Sequence, residues 1–391
     1  MGILDENQRI LAGFGEIVEV EPLLVDAAAK GGTLVDAMGV NVVSGARQVQ
    51  RRVLIVGVDW LGDVLFSTPL IRALKKRDPG MFLAYSTASR CLGVLKNNPY
   101  LDACIAYDEL PFVWGMAGHL RWRSQLSRLS LSHAIFLHRS ATRTFWVAAA
   151  GIRKRTGVFS KKQGWLLTER FPGPSTCCHR TDAYLSVLKY LGIPEAGREP
   201  DYVVTDEDRR AWDALRQELG CADGGYVVLH PGGNWMPKRW PAENFARLAA
   251  YLASSGMNVI LCGTASEEAL CRQIAMSSNP AKVKVAAGLT ALGTLGALIL
   301  GARLIVSNDS GPIHLAAALG TPIVGLYGPT SPAITGAVSR GPSIILHHGR
   351  VESGCHVPCY RDNCRDISCM KMIRVEEVVR ASEQLLGRRN G

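Results

Sequence analysis

The chain of 391 residues contains no run of about 18 consecutive apolar residues, so no segment reads as a membrane-spanning helix. Residues 1–50 lack the basic start and apolar centre of a secretory leader, and they do not resemble a transit peptide. No short-period repeat and no low-complexity tract is present. The fingerprint Gly-x-Gly-x-x-Gly with a downstream acid is also missing, which argues against a dinucleotide-dependent dehydrogenase. Acids are scarce in one window. Between Arg121 and Arg180 stand twelve Lys or Arg and a single acid, Glu169. That surplus of +11 exceeds the net +10 of the whole chain, so the remainder is close to neutral. Such a field suits a polyanion: nucleic acid, an anionic headgroup or a phosphorylated sugar. No recognised DNA- or RNA-binding module accompanies it, which disfavours nucleic acid.

Apolar residues make up 47% and charged residues 20%, the balance of a soluble globular protein. The length suits two domains rather than one core. Eleven cysteines include Cys91, Cys104, Cys177, Cys178, Cys221, Cys262, Cys271 and a terminal group. An odd count, largely inside apolar patterns, predicts reduced thiols in a cytoplasmic protein.

A buried-strand pattern, Val53–Val58, opens the folded part and leads through Gly62-Asp63 into a helix, Val64–Lys76. Further strands are expected at Phe82–Tyr85, Ala103–Tyr107 and Ala134–Leu137, and a Pro- and Gly-rich linker at Pro194–Tyr202. A second alternating series follows. Its strands are expected at Tyr226–Leu229, Val259–Cys262, Leu304–Ser307 and Ile323–Tyr327. Its helices are expected at Ala242–Ser254, Glu267–Met276, Leu292–Leu300 and Ile313–Leu319. The pattern predicts an α/β protein of two Rossmann-like, doubly wound domains facing a central cleft, the GT-B architecture. The boundaries are an extension at 1–50 with no assigned role, an N-terminal domain at 51–198, a C-terminal domain at 205–374 and a closing helix at 375–391.

Three stretches hold the candidate chemistry. In Asn308-Asp309-Ser310-Gly311-Pro312-Ile313-His314, an apolar strand stops at a turn and a helix begins at once. Asp309 or Ser310 can cap that helix, Pro312 suits its first turn, and Gly311 admits a close approach to the backbone. Free N–H groups and the positive helix end make an anion site suited to a pyrophosphate. In Gly232-Gly233-Asn234-Trp235-Met236-Pro237-Lys238-Arg239, a glycine pair after a strand leaves N–H groups for phosphate oxygens, and Lys238 or Arg239 can offset charge on a departing diphosphate. At the first strand-to-helix turn, Asp63 either caps its helix or faces the cleft as a general base, with Asp59 a second carboxylate four residues earlier.

Together and in this order, these motifs resemble the lipopolysaccharide heptosyltransferases of glycosyltransferase family 9, from about Val53 to the end of the chain. The resemblance implies an inverting GT-B glycosyltransferase that moves heptose from ADP-heptose to a lipopolysaccharide core acceptor. It places the catalytic aspartate at Asp63 and the diphosphate-binding lysine at Lys238. It lines the donor site with Gly62, Gly232, Gly233, Asn234, Asp309, Ser310, Gly311 and His314, Asp309 accepting from sugar hydroxyls. Asn234 departs from the small hydroxyl residue usual there. Arg139 and Arg143, after a strand, are expected to reach the acceptor, a phosphorylated glycolipid, at the inner face of an anionic membrane. No catalytic cofactor is implied. Two alternatives stay open: a GT-B transferase with another nucleotide sugar and a protein or glycan acceptor, or a non-catalytic nucleotide- or polyanion-binding module.

The segment 355–370 holds Cys355, Cys359, Cys364 and Cys369, spaced as a small tetrahedral site for structural zinc or iron, as unligated thiols, or as disulfides.

Overall fold

The computed structural model describes residues 51–109, 115–161, 163–175, 178–221, 225–279, 281–348 and 355–387. The extension 1–50 and the last four residues of the expected closing helix lie outside these.

The first half begins with β1 (Arg52–Val56), whose Val-Leu-Ile-Val run is buried, as an interior parallel strand requires. There follow α1 (Leu61–Arg77), β2 (Phe82–Thr87), β3 (Ala103–Ala106), α2 (Met116–Arg128), β4 (His133–Phe136), α3 (Ala141–Ala149), β5 (Lys154–Val158), β6 (Glu169–Phe171) and α4 (Arg180–Leu191). After α5 (Asp206–Glu218) the second half runs β7 (Tyr226–His230), α6 (Ala242–Ser254), β8 (Asn258–Leu261), α7 (Glu268–Met276), β9 (Val283–Val285), α8 (Leu292–Leu300), β10 (Leu304–Asn308), α9 (Gly311–Leu319), β11 (Ile323–Tyr327), β12 (Ser343–His347) and α10 (Val375–Gly387).

The sheets are ordered β3-β2-β1-β4-β5-β6 and β12-β11-β10-β7-β8-β9, with parallel pairing throughout. Counted from its own first strand, each reads 3-2-1-4-5-6. The order therefore reverses between β1 and β4 in one sheet, and between β7 and β10 in the other. Connections leave these pairs in opposite directions and open a crevice at the carboxyl ends.

Strands β5, β6, β9 and β12 were not expected. β5 opens with Lys154 and Arg155, β6 and β9 are three residues long, and β12 has no fully buried residue. Only β12, with Ile344-Ile345-Leu346, holds an apolar run, and it is short and closes the edge of its sheet.

Alternate β1 side chains feed two cores. Leu54 and Val56 pack with Trp122, Leu126, Trp146 and Val147 under α2 and α3. Val53 and Ile55 join a cluster that includes α1, α4, α8, α9 and inner-facing residues of the second sheet. One continuous core thus crosses from half to half, and α2 and α3 form the outer layer of the first. Between the halves, Arg72 of α1 donates to the carbonyls of Ala196 and Glu199 and pairs with Asp201, which Arg340 contacts from the other side at 2.8 Å.

Candidate active site

The site is built at the two crevices. After β1, Gly57 lies so close to the ring of Tyr85 that any Cβ would overlap it, which ties the turn to β2. Trp60 is the N-cap residue of α1 and supplies no side-chain cap. Asp63, in the first turn, is half-buried and does not act as the cap. Its Oδ1 accepts a hydrogen bond at 3.1 Å from the hydroxyl of Tyr184, which reaches over from α4. Burial, and then the charge of Asp63, push the Tyr184 phenol well above its ordinary range, so it stays a donor.

Asp59 is not a free second base. Its Oδ2 pairs with Arg143 at 2.5 Å and its Oδ1 accepts from the Ala88 amide. Arg143 is 1% exposed. Its remaining donors go to Glu109 at 2.8 Å and the Gly57 carbonyl at 3.0 Å. Burial opposes this guanidinium charge, yet Asp59 and Glu109 outweigh it and hold the pKa above normal. The expectation that Arg143 reaches an acceptor is therefore corrected: a buried arginine with its donors spent on two carboxylates and a carbonyl braces the turn instead. Arg139 is exposed and lies against Gly173. His138, beside it, has a buried Nδ1 without a partner among the described residues, and burial lowers its pKa.

In the second half, β7 ends in the loop Pro231–Trp235. Gly233 adopts φ +149° and its N–H donates to Glu267 at 2.6 Å. The carboxylate of Glu267 fills the space where a Gly232 Cβ would stand. Arg239 donates to the Gly233 carbonyl at 2.8 and 2.6 Å, and Asn308 to those of Pro231 and Gly232. Arg239 thus holds the loop, while Lys238 points elsewhere: its Nζ lies 2.9 Å from Asp309 Oδ2. Asn234 is exposed on the loop.

Asp309 is buried. It accepts from Lys238, from Thr330 at 2.6 Å and, more loosely, from His314 at 3.5 Å. Burial raises its pKa, but His314, Lys238 and Thr330 together hold it far below the carboxylate range. Neither Asp309 nor Ser310 caps α9 with its side chain. Ser310 is the N-cap residue, but its hydroxyl lies 3.0 Å from His230 Nδ1, so the first-turn amides of α9 are left unmet by a side-chain cap. The hydroxyl-accepting role expected for Asp309 finds both oxygens occupied by protein groups.

The halves meet here. A Cβ on Gly62 would stand 2.7 Å from the His314 ring, one on Gly311 would stand 3.1 Å from Leu61, and Phe66 packs edge-on to His314. The Asp63 turn therefore abuts the start of α9, and His314 Nδ1 is buried without a partner among the described residues.

The family model of glycosyltransferase family 9 (heptosyltransferase) matches residues 122–361. The chain belongs to glycosyltransferase family 9. The family 9 chain is 27% identical over 343 residues to lipopolysaccharide heptosyltransferase 2 of Salmonella typhimurium, covering 82% of this chain and 96% of that relative. Its fold matches a glycosyltransferase family 9 structure from Veillonella parvula with TM-score 0.76, at 24% identity and over 86% and 97% of the two chains. It matches the ADP-heptose lipopolysaccharide heptosyltransferase II of E. coli with TM-score 0.74, at 24% identity and over 87% and 100%. The chain is a glycosyltransferase of GT-B architecture, as its sequence pattern and resemblance implied.

Beyond the expected residues, this glycosyltransferase site includes Tyr184, Glu109, Glu267, Asn308 and Thr330. Two of them had a local signal: Asn308 opens the turn before α9, and Thr264-x-x-Glu267 is a capping box. The terminal cysteines also touch the loops after β7 and β11. Cys355, Cys359, Cys364 and Cys369 line a cavity of about 30 Å³ with Pro237 and Pro329, and the Cys359 amide donates to the Pro329 carbonyl at 2.7 Å. Burial and, behind it, the other three thiols push Cys369 up. No disulfide is present among the described cysteines. Among the described residues no group of three His, Cys, Asp or Glu side chains is arranged to hold a metal ion, so the cluster as placed does not fit a closed metal cage.

Proposed function

We propose that this glycosyltransferase transfers heptose from ADP-heptose to a lipopolysaccharide core acceptor with inversion, and that Asp63 is the general base. The observation that carries the reading is the meeting of the Asp63 turn with the start of α9. It sets a carboxylate with one oxygen uncommitted among the described residues against the start of a helix, where the dipole favours an anion.

The acceptor hydroxyl gives its proton to Asp63 as its oxygen attacks the anomeric carbon. The bond from that carbon to the diphosphate oxygen breaks on the opposite face, and the configuration inverts. Charge gathering on the diphosphate is met by the Lys238 ammonium and by the amides of Gly311 and the next turn of α9, while the Gly233 N–H, spent on Glu267, shapes the neighbouring loop. Asp309 keeps Lys238 aimed at that place. His314, whose Nδ1 has no partner among the described residues, supplies a further contact to the diphosphate. Arg139 contacts phosphate or carboxylate groups of the acceptor glycolipid, whose lipid brings the enzyme to an anionic membrane surface.

The test is a panel of nucleotide sugars assayed by release of free nucleoside diphosphate. Turnover with ADP-heptose and not with UDP- or GDP-sugars is expected, and the reverse pattern would refute the heptose reading. Binding of ADP without turnover on any donor would instead favour a non-catalytic module.

A further inference from the structure

The most basic part of the chain also exposes several large aromatics, and of its cations the acceptor chemistry uses Arg139 alone. We propose that the outer layer of the first half, α2, α3 and the crossover from β5 to β6, docks on an anionic phospholipid bilayer. The purpose of this docking rests on the glycolipid-acceptor reading, but the binding itself does not.

Trp165 is 72% exposed and Phe159 55%, on one short crossover. The Phe159 ring packs on Gly164, where a Cβ would come within 2.7 Å, so the two aromatics are neighbours. The crossover is pinned from beneath. Gln163 is buried and contacts the Thr144 hydroxyl of α3 at 3.3 Å and the Val158 carbonyl at 3.4 Å. Exposed aromatics on a fixed base differ from a loop that hides its apolar groups by collapsing. Helix α3 packs beside the crossover and exposes Phe145. Helix α2 packs beside α3, with Arg123 donating to the Ala149 carbonyl at 2.9 Å, and exposes Leu120. Lys161 stands between the two aromatics, in the window where twelve cations face one acid. That acid, Glu169, is taken up by Thr156 and Lys154 on the strands.

A large apolar surface rimmed by one sign of charge marks an interaction face. The occupant follows from the chemistry. Aromatic side chains settle at the headgroup boundary, and the surrounding cations are drawn to anionic lipid. This layer faces away from the second half, so docking leaves the cleft open. Helix α3 also begins at the carboxyl edge, where its Arg143 braces the Asp63 turn. The cleft mouth thus lies at the rim of the docked face, where a headgroup can enter while its acyl chains stay in the bilayer.

The test measures partition of the full chain onto phosphatidylethanolamine–phosphatidylglycerol vesicles and onto phosphatidylcholine vesicles. Binding to the anionic vesicles alone, weakening with salt, is expected. Lys161→Ser should weaken it about fivefold. Phe159→Ser with Trp165→Ser should weaken it tenfold or more, while Lys282→Ser in the other half should change nothing. Quenching of tryptophan emission by brominated lipid should disappear in Trp165→Phe, which keeps an aromatic ring and the fold. Equal partition of the double variant, or equal binding to both vesicle types, would overturn the proposal. So would binding of this face to single-stranded RNA without vesicle partition. Turnover of a lipid-free acceptor should survive the double variant, whereas turnover of a vesicle-borne acceptor should fall. If no heptose donor supports turnover, the glycolipid reading fails while vesicle partition still decides the docking surface.

Discussion

The two halves share one strand order and each opens a crevice at its order reversal, yet they set their carboxylates there in opposite ways. In the first half the turn after β1 presents a single carboxylate, Asp63, held by one tyrosine and braced by the Asp59–Arg143–Glu109 cluster. In the second, the loops after β7 and β10 are shaped by glycine and by carboxylates turned inward: Glu267 under Gly232-Gly233, and Asp309 behind Lys238. The first half leaves Asp63 half-buried at its turn, with a hydrogen bond from Tyr184. The second turns its carboxylates inward, pairs one of them with Lys238 and leaves the start of α9 without a side-chain cap. The same topology thus carries its carboxylates in different settings according to which side chains pack against its turns.

The hardest test of that contrast is Asp63→Asn. It should lower turnover by about 10²–10⁴ while leaving ADP affinity in calorimetry unchanged, since the amide keeps the shape and loses the base. A variant with more than half the parental rate would remove Asp63 from the chemistry. Next is the buried brace. Arg143→Gln leaves Asp59 and Glu109 facing one another, and should lower stability by about 3 kcal/mol in urea unfolding, the lower end for a broken buried pair because both carboxylates reach water. Arg139→Gln should instead raise the acceptor KM at unchanged stability. If Arg143→Gln behaves like Arg139→Gln, the brace is not structural.

Asp309 tests the other half. Its folded-state pKa is depressed, so the carboxylate adds stability above the unfolded value of about 4, and that contribution is lost as pH falls below it. Asp309→Asn should therefore be less stable than the parent at pH 7, and the gap should narrow as pH drops below about 4. A gap independent of pH would show that its partners do not hold it charged. Tyr184→Phe removes one hydrogen bond to a charged group and should cost about tenfold in kcat with donor KM unchanged. The smallest effect on turnover belongs to the terminal thiols. Cys359→Ser should lower thermal stability by loosening the segment against Pro329, while folded protein still binds ADP. Metal analysis of the purified parent checks the cage, and about one zinc or iron per chain would mean that the thiols close around it once bound.

Much of this was legible in the chain. The interior strands β1, β7, β10 and β11 are short apolar runs buried on both faces, and each of β1, β7 and β10 is followed by a polar turn that holds candidate residues. Periodicity and turn chemistry act over a few residues, so Asp63, Lys238 and the Ser310–His314 turn stand out locally. Lys238 and Arg239 could not be separated by pattern, because only the loop's path shows that Arg239 reaches the Gly233 carbonyl. Arg143 illustrates the reverse error. A basic residue after a strand reads as a ligand for anions until Glu109 and Asp59 are seen around it.

The sequence by itself determined the class of fold, the two crevices and the local groups able to bind phosphate, since these follow from apolar period, glycine and helix starts. Tertiary structure decided which charges face out. Tyr184 meets Asp63 across 121 positions, Lys238 meets Asp309 across 71, and Arg143 meets Asp59 across 84. Coulomb attraction and burial act through space, so which partners hold each carboxylate is fixed only when its own half has folded.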